Sequence, residues 1–369
     1  MLKTGMLRAL GTMSGTSLDG VDAAVIETDG VTIGAFGPSL YRPYTSQEQT
    51  VLREHLGRWQ SDDVDTAARI VEDAHIAVLA PFQGIDIIGF HGQTLAHDPQ
   101  GRGTHQCGDG QRLADALGRP VVWDFRSNDV AQGGQGAPLA PFYHFALAKW
   151  VCSNAPVVFL NLGGVGNLTW VDPRYDDPAD AGALLAFDTG PANAPINDIM
   201  LKRRGMAYDE NGQLAATGKV DHDIIAAFLE NPYFARRPPK SLDRDDFASL
   251  ATAVAGLHDP DAVATLTHAV VKSVAQGVAA CPAVPARVFV CGGGRKNATM
   301  MRALSAELPC PIKAIEDVGL DGDMIEAQAF GFLAVRAARG LSLSAPLTTG
   351  IAQPESGGRF AQPKDSVRG

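Results

Sequence analysis

Three glycine-rich segments of the sequence contain the residue types that bind phosphate. The first, residues 11–20, places Gly15, Thr16, Ser17, Asp19 and Gly20 between two apolar runs. Such residues allow tight turns and offer backbone N–H groups and hydroxyls to an anion. We therefore predict a strand, a phosphate-binding turn and a second strand over residues 7–27. Taken alone, this segment is equally compatible with an ordinary hairpin that has a roomy loop.

Two later segments repeat this layout. Residues 155–171 place Gly163–Asn167 after an apolar β-branched run, and residues 286–304 place Gly292–Gly294 after another. Three predicted strands that each lead into a glycine-rich turn indicate one nucleotide held from two sides. The sequence contains no GxxxxGK[ST], strict GxGxxG or HExxH pattern, which argues against a P-loop enzyme, dinucleotide binding and zinc hydrolysis.

Asp188 is the candidate general base. It follows the apolar run Leu184–Phe187 and precedes Thr189, Gly190 and Pro191, so we expect it to be rigidly placed at the end of a buried strand. A general base requires such a fixed position. The alternative is that Asp188 or Thr189 caps the N-terminus of the following helix, and the two roles are compatible.

The predicted strand 85–90 leads directly to His91, Gln93 and Thr94. Ligands collect at the carboxyl ends of strands in open α/β sheets, so Gln93 and Thr94 become candidates for substrate binding. A single histidine such as His91 is more often a hydrogen-bonded structural residue than a catalyst, and we expect the structural role here.

Arg126 follows a second short predicted strand, 120–123, and precedes a glycine-rich loop at 133–136. An arginine in that position suits a carboxylate or phosphate of a substrate. The alternative is an ion pair with Asp129 at the surface, which would contribute little to stability.

The composition of the chain indicates a globular protein with room for two cores. The sequence has 369 residues, of which 45% are hydrophobic and 20% charged. The net charge of −10 argues against a nucleic-acid partner. Five scattered cysteines without a CxxC pair indicate neither a zinc site nor a disulfide scaffold and favour a reducing cytoplasm. We predict no membrane span, and a mobile insertion or lid within residues 209–246.

Seven motifs together resemble those of the anhydro-N-acetylmuramic acid kinase family, within the acetate and sugar kinase, heat-shock chaperone and actin superfamily. They are GTMSGTSLDGVDAAV at 11–25, FHGQT at 90–94, DFRSNDVAQGGQGAPLAP at 124–141, NLGGVGNLT at 161–169, FDTGPANAPIND at 187–198, CGGGRKN at 291–297 and EAQAFGFLA at 326–334. The chain departs from the family pattern at Ala192, Pro195 and Asn197, which surround Asp188 without replacing it.

The resemblance implies an α/β fold of two ribonuclease-H-like, actin-like ATPase subdomains, with mixed sheets flanked by helices and ATP in the interdomain cleft. We place the N-terminal subdomain at residues 1–153 and the C-terminal subdomain at 154–369. The resemblance also implies a cytoplasmic homodimer that acts on an amino sugar and ATP, with no nucleic-acid or membrane partner.

The activity implied by the resemblance is that of an ATP-dependent kinase in peptidoglycan recycling. Such an enzyme opens 1,6-anhydro-N-acetylmuramic acid with water and phosphorylates O6, giving N-acetylmuramic acid 6-phosphate. Asp188 would be the general base, and Thr94, Arg126 and Glu326 would bind the sugar. Mg²⁺ would be held through water by Asp19 or, alternatively, by Asp22. The ATP-binding residues would be Gly15, Thr16, Ser17, Leu18, Asp19, Gly20, Val21, Asp22, Gly163, Gly164, Gly166, Asn167, Gly292, Gly293, Gly294 and Asn297.

Two other function classes are weighed against this one. Another sugar or acid kinase of the same superfamily would carry out simple phosphoryl transfer, with Asp188 deprotonating a sugar hydroxyl. A chaperone or a DNA-linked sugar sensor would need a peptide-binding domain, or a helix-turn-helix with a basic patch, and the sequence indicates neither.

Overall fold

The computed structural model describes residues 4–242 and 246–364, which form two compact units. Unit 1 contains the described residues up to Trp150 and from Met324 onward, and unit 2 contains those between them. The first boundary lies three residues from the one expected. The segment from Met324 onward, which the sequence placed in the C-terminal subdomain, instead groups with unit 1 because its helix packs on that unit's sheet.

The described residues form twelve strands and twelve α-helices. The strands are β1 (Leu7–Ser14), β2 (Gly20–Thr28), β3 (Ile33–Pro43), β4 (Ile87–Asp98), β5 (Gly103–Cys107), β6 (Val121–Trp123), β7 (Val157–Leu162), β8 (Val165–Val171), β9 (Leu184–Pro191), β10 (Val288–Cys291), β11 (Ile312–Ala314) and β12 (Arg359–Ala361). The helices are α1 (Ser46–Glu54), α2 (Asp65–Leu79), α3 (Gly110–Leu117), α4 (Ser127–Ala131), α5 (Pro141–Trp150), α6 (Asn193–Arg204), α7 (His222–Leu229), α8 (Pro232–Ala235), α9 (Ala248–Ala253), α10 (Asp259–Ala279), α11 (Ala298–Glu307) and α12 (Ile325–Ala338).

The sheet of unit 1 is mixed. Its strand order is β12-β6-β4-β1-β2-β3, and β5 pairs with the far end of β4. Strands β1, β2 and β3 form an antiparallel meander, whereas β1, β4 and β6 run parallel. Helices α2 and α3 bury their apolar sides against one face, and α12 covers the other.

The sheet of unit 2 repeats this plan with the order β11-β10-β7-β8-β9. Strands β7, β8 and β9 form the meander, and β7, β10 and β11 run parallel. The valines of α10 at positions 263, 270, 271 and 274 are buried in its core, as their helical spacing predicts. The expected α/β fold, with two mixed sheets flanked by helices, is confirmed.

Three glycines let α12 approach the sheet of unit 1 at backbone distance. A Cβ atom on Gly11 of β1 would lie 1.9 Å from the carbonyl oxygen of Ala327, and one on Gly89 of β4 would lie 2.1 Å from that of Phe330. On the helix itself, a Cβ on Gly331 would lie 3.0 Å from the backbone nitrogen of Gly11. No side chain fits between these surfaces, so the helix position is fixed by the absence of Cβ atoms.

Two predicted elements differ from the structure. Strand β4 does not end before His91 but continues to Asp98, because residues from Gln93 onward pair with β5, beyond the last β6 partner at Phe90. Residues 209–219 do not form a detached lid. They contain two 3₁₀ turns, and Ala215 belongs to the core of unit 2. Of the second lid segment, 236–246, residues 243–245 lie outside the described residues.

Within residues 4–242 and 246–364, every helix is too short or too polar to cross a lipid bilayer. The five cysteines are all free thiols.

We expect Gly89→Ala to lower the free energy of unfolding by about 1–3 kcal/mol or more, since the new methyl group would collide with helix backbone that cannot rotate away. Thermal and urea denaturation followed by circular dichroism would measure this loss. Gly256→Ala is the matched control, because no atom lies within 4 Å of its Cβ position. Equal melting temperatures for the two variants would contradict the proposed role of the close packing.

Candidate active site

The first glycine-rich loop connects β1 to β2 and is held by its own turn. The amide of Leu18 donates to the carbonyl oxygen of Gly15 at 3.2 Å, and Leu18 has a positive φ of 59°. Its side chain is only 2% exposed, so core packing maintains this unfavourable conformation. Thr16 and Ser17 project into solvent. The loop therefore presents its polar groups outward, as a phosphate site requires.

A buried hydrogen-bond network holds the same loop in place. The Ser14 hydroxyl lies 2.5 Å from Oε1 of Gln93 and 3.1 Å from the Tyr44 hydroxyl. Nε2 of Gln93 donates to the carbonyl oxygen of Gly15 at 3.1 Å. Ser14, Tyr44 and Gln93 are all buried, so each lost bond would leave a polar group without water. Gln93 therefore positions the loop from within β4, whereas the sequence made it a candidate for substrate binding.

The second half of the loop packs against β3. The Tyr41 hydroxyl and the Tyr44 amide both donate to the carbonyl oxygen of Asp19 at 2.9 Å. A Cβ on Gly20 would lie 2.4 Å from the carbonyl oxygen of Arg42, so this glycine is required by packing within the protein. Val21 is completely buried and pairs with Arg42 of β3, so its role is in packing. The Asp19 carboxylate accepts a hydrogen bond from Ser17 and is exposed.

The glycine-rich turn of unit 2 is shorter than the sequence predicts. Only Gly163 and Gly164 lie between β7 and β8, whereas Gly166 and Asn167 already pair within β8. The carbonyl oxygens of Gly163 and Gly164 accept from backbone amides at the start of α6, so this turn and that helix are joined. A Cβ on Gly166 would lie 2.6 Å from Oγ1 of Thr189, so its glycine is explained by packing.

The third motif, Gly292–Gly294, packs mainly against β7. Gly292 has a φ of 71°, and a Cβ there would lie 2.1 Å from Oδ1 of Asn161. A Cβ on Gly294 would lie 2.5 Å from Cβ of Leu162, whereas Gly293 is exposed. Asn297 caps α11 by accepting from the amide of Met300 at 2.9 Å. Gly293 is thus the member of this motif whose backbone is most open to a ligand.

Asp188 lies within β9 and is held by the segment that follows α8. Its amide donates to the carbonyl oxygen of Lys240 at 3.0 Å, and its Oδ2 accepts from the amide of Leu242 at 2.8 Å. The Tyr233 hydroxyl donates to the Asp188 carbonyl oxygen at 2.5 Å. The N-cap of α6 is Ala192, without a side-chain hydrogen bond, so the capping alternative for Asp188 and Thr189 is wrong. One carboxylate oxygen is thus held by a backbone amide, and the Asp188 backbone is held on both sides.

Arg126 lies just before α4, and its guanidinium donates in two directions. Nε and Nη2 lie 3.1 and 3.0 Å from Nε2 of His91, and Nη1 donates to the carbonyl oxygen of Gly136 at 2.7 Å. The ring of Phe330 on α12 lies 5.9 Å from the guanidinium carbon. Loss of hydration lowers the pKa of Arg126 to about 10, an effect opposed by Glu326 and Asp129. The group stays charged at neutral pH.

Asp129 organises the glycine-rich loop instead of forming a surface ion pair with Arg126. It is buried, and its carboxylate accepts from the Gly136 amide and the Thr349 hydroxyl, both at 2.6 Å. A Cβ on Gly134 would lie 2.1 Å from Oδ1 of Asp129. The loop therefore closes tightly around this carboxylate and brings the Gly136 carbonyl to Arg126.

The two other sugar-side candidates also belong to unit 1. Glu326 lies in the first turn of α12, one turn before Phe330. Its side chain is accessible, yet the dense protein around it raises its pKa, and Arg126 opposes this rise. Thr94 lies on β4, where its hydroxyl accepts from Nε2 of Gln106 at 3.2 Å. Arg126 and Glu326 therefore belong to the same unit, and each affects the pKa of the other.

Sequence reasoning missed the residues that support this cluster. Phe330 looked like ordinary helix core, and Gln106 lacked any motif signal. His91 and Gln93 stood in the recognised FHGQT motif, so their polar character at a predicted strand end was the available signal. The groups that these side chains contact come from distant parts of the chain, and the sequence of a single segment does not reveal them.

A family model and individual relatives both match this chain over nearly its whole length. Residues 7–362 match the model of the family described as anhydro-N-acetylmuramic acid kinase. A protein of that name from Roseobacter denitrificans is 58% identical over 98% of this chain and 96% of its own length. Another, from Cereibacter sphaeroides, is 60% identical over 99% and 98%. Among solved structures, the activator of 2-hydroxyisocaproyl-CoA dehydratase from Clostridium difficile is 13% identical over 90% of this chain and 96% of that chain. Its TM-score of 0.45 is too low to bear on activity.

We expect Gln93→Glu to weaken nucleotide binding and to lower the free energy of unfolding by about 1–3 kcal/mol, because a carboxylate cannot donate to the Gly15 carbonyl. Calorimetric titration with a non-hydrolysable ATP analogue, together with thermal denaturation, would measure both effects. Gln47→Glu on the exposed face of α1 is the matched control. Unchanged affinity in Gln93→Glu would mean that the network does not position the loop.

Proposed function

The chain belongs to the anhydro-N-acetylmuramic acid kinase family, and we propose that it converts 1,6-anhydro-N-acetylmuramic acid, ATP and water into N-acetylmuramic acid 6-phosphate and ADP. This reaction is a step in the recycling of peptidoglycan. The observation that carries the proposal is the high identity with relatives of that name over nearly the full length of both chains. The polar clusters of each unit support it.

The reaction joins hydrolysis to phosphoryl transfer. Water adds to the anomeric carbon, the bond from C1 to O6 breaks, and O6 forms a bond to the γ-phosphorus as ADP leaves. The proton released by the water passes to a carboxylate base, as in an inverting glycosidase. No separate general acid is needed, because the phosphoryl group captures the leaving oxygen.

Asp188 is the proposed base. The Leu242 amide holds one oxygen of its carboxylate, and the backbone of Asp188 is tied to Lys240 and Tyr233. A carboxylate fixed in this way loses little freedom when it accepts a proton in the transition state. This support comes from the segment around Leu242 and from Tyr233 and does not involve Ala192, Pro195 or Asn197, so the departures there are compatible with the proposed role.

Arg126, Glu326 and Thr94 are the proposed contacts to the sugar. Arg126 offers a charged donor pair that suits the lactyl carboxylate. Glu326 is accessible and carries acceptor oxygens that suit sugar hydroxyl or amide groups. Thr94 offers a hydroxyl whose acceptor side is already engaged by Gln106, which leaves its proton for the ligand.

ATP is the proposed phosphoryl donor, and both units supply the loops assigned to it. In unit 1 the accessible groups are those of Gly15, Thr16, Ser17 and Asp19, and in unit 2 they include Gly164 and Gly293. The remaining assigned residues contribute backbone or packing: Leu18, Gly20, Val21, Asp22, Gly163, Gly166, Asn167, Gly292, Gly294 and Asn297. Phosphoryl transfer depends mostly on such positioning.

Mg²⁺ is proposed as the metal. The described residues contain no cluster of three or more His, Cys, Asp or Glu side chains that could hold a metal alone. Mg²⁺ bound to nucleotide usually keeps several waters and takes one or two carboxylates, so the single exposed carboxylate of Asp19 on the phosphate loop fits. When bound, the ion would neutralise phosphate charge.

We also propose a cytoplasmic homodimer, on the basis of the family resemblance alone.

We expect turnover in ¹⁸O-labelled water to place one heavy oxygen at C1 of the 6-phosphate, because the ring opens by addition of water. Mass spectrometry of the product measures this incorporation. A simple sugar or acid kinase would incorporate no solvent oxygen. A phosphorylated product that retains the anhydro ring, or no product with this sugar, would overturn the proposed function.

Asp188→Asn should lower kcat by roughly 10²–10⁴-fold, the usual contribution of a general base. The new amide oxygen can still accept from the Leu242 amide, so the local fold and ATP affinity should persist. Steady-state kinetics and calorimetric titration with an ATP analogue would separate the two effects. Asp223→Asn, on the exposed side of α7, is the control. Substantial activity in Asp188→Asn would exclude it as the base.

A further inference from the structure

The guanidinium of Arg126 has five N–H groups, and three of them are engaged within unit 1. Its Nε–H and one Nη2–H point to Nε2 of His91, and one Nη1–H points to the Gly136 carbonyl. No hydrogen bond among the described residues uses the other two, one on Nη1 and one on Nη2. Two donors on neighbouring nitrogens form the fork that matches both oxygens of a carboxylate.

The partners of His91 determine its tautomer. Nδ1 lies 2.8 Å from the carbonyl oxygen of Gly92, which can only accept, so Nδ1 carries the proton. An arginine N–H can only donate, so Nε2 must present its lone pair to Arg126. His91 is therefore a neutral acceptor. Burial and the charge of Arg126 both hold its pKa well below the usual value, which agrees with this assignment.

Without this acceptor, the guanidinium of Arg126 would keep one hydrogen bond among the described residues, from Nη1 to the Gly136 carbonyl oxygen. One bond does not fix the plane of a guanidinium, so its two remaining donors would no longer be held in one direction. The bonds from Nε and Nη2 to His91 are therefore what orient the group.

We propose that His91 is a positioning residue that orients the Arg126 guanidinium, so that its remaining Nη1 and Nη2 donors bind the carboxylate of an acidic sugar. His91 itself touches no substrate in this role. Its ring also packs on Phe330, with centroids 4.5 Å apart, so the acceptor nitrogen and the aromatic ring make separable contributions. The inference rests on the proposed function, because it assigns a part of that substrate to a part of this site.

Two substitutions separate these contributions. His91→Phe keeps an aromatic ring against Phe330 but removes the acceptor, whereas His91→Gln loses the ring but can place its amide oxygen where Nε2 stands. The probes are 1,6-anhydro-N-acetylmuramic acid and 1,6-anhydro-N-acetylglucosamine, which lacks the lactyl carboxylate. Calorimetric titration of each sugar, with competition up to millimolar concentration for weak binding, gives Kd without requiring turnover.

In His91→Phe, we expect Kd and KM for the muramic sugar to rise about 10- to 100-fold, the range for loss of a charge-assisted hydrogen bond. Kd for the glucosamine sugar should change less than threefold, kcat should change little, and His91→Gln should recover most of the affinity for the muramic sugar. Equal weakening of both sugars, or equal damage in both variants, would overturn the proposal and leave His91 as general support for the fold.

A spectroscopic measurement tests the same proposal even if His91→Phe folds poorly. In the intact protein with ¹⁵N-labelled histidine, the His91 signal, assigned by its absence in His91→Gln, should report a protonated Nδ1 and a bare Nε2 at neutral pH. A proton on Nε2 would overturn the proposal. Wild-type protein that binds neither sugar would instead overturn the proposed function, whatever the tautomer.

Discussion

The backbone contact between α12 and the sheet of unit 1 is the constraint on which the candidate sugar site depends. Gly11 and Gly89 let helix carbonyl groups approach to a distance that no Cβ would permit. This close packing places Phe330 of α12 against His91 of β4 and beside Arg126, which follows β6. The site therefore depends on missing side-chain atoms on two strands as well as on the contacts among its own polar groups.

Much of the fold followed from the sequence because hydrophobic periodicity determines local structure directly. The buried valines of α10 and the short apolar runs of β7 and β10 predicted those elements within two or three residues. The two mixed sheets followed from the family resemblance. Pairing beyond the apolar core was less predictable. His91 and Thr94 lie inside β4 because β5 extends the ladder, and no pattern within residues 85–94 reports a partner that begins at Gly103.

The sequence predicted which residues belong to the candidate site more readily than why each residue type is needed there. Glycines at 166, 292 and 294 suggested close approach to a nucleotide, yet each is required by a neighbouring side chain or backbone group of unit 2. A glycine pattern indicates close packing but does not identify the group that packs against each glycine. The domain assignment of Glu326 failed for a related reason. Chain order placed α12 with unit 2, whereas its glycine-mediated contacts place it with unit 1.

Charge is the other physical constraint on the candidate sugar site. The chain carries a net charge of −10, so an acidic sugar would be repelled at long range and must be attracted by a local cation. Arg126 provides that cation, and its pKa of about 10 keeps it protonated at neutral pH despite its dehydration. A carboxylate as its fixed partner would cancel this charge, and a protonated histidine would oppose it. The neutral imidazole of His91 holds the guanidinium without neutralising or opposing its charge.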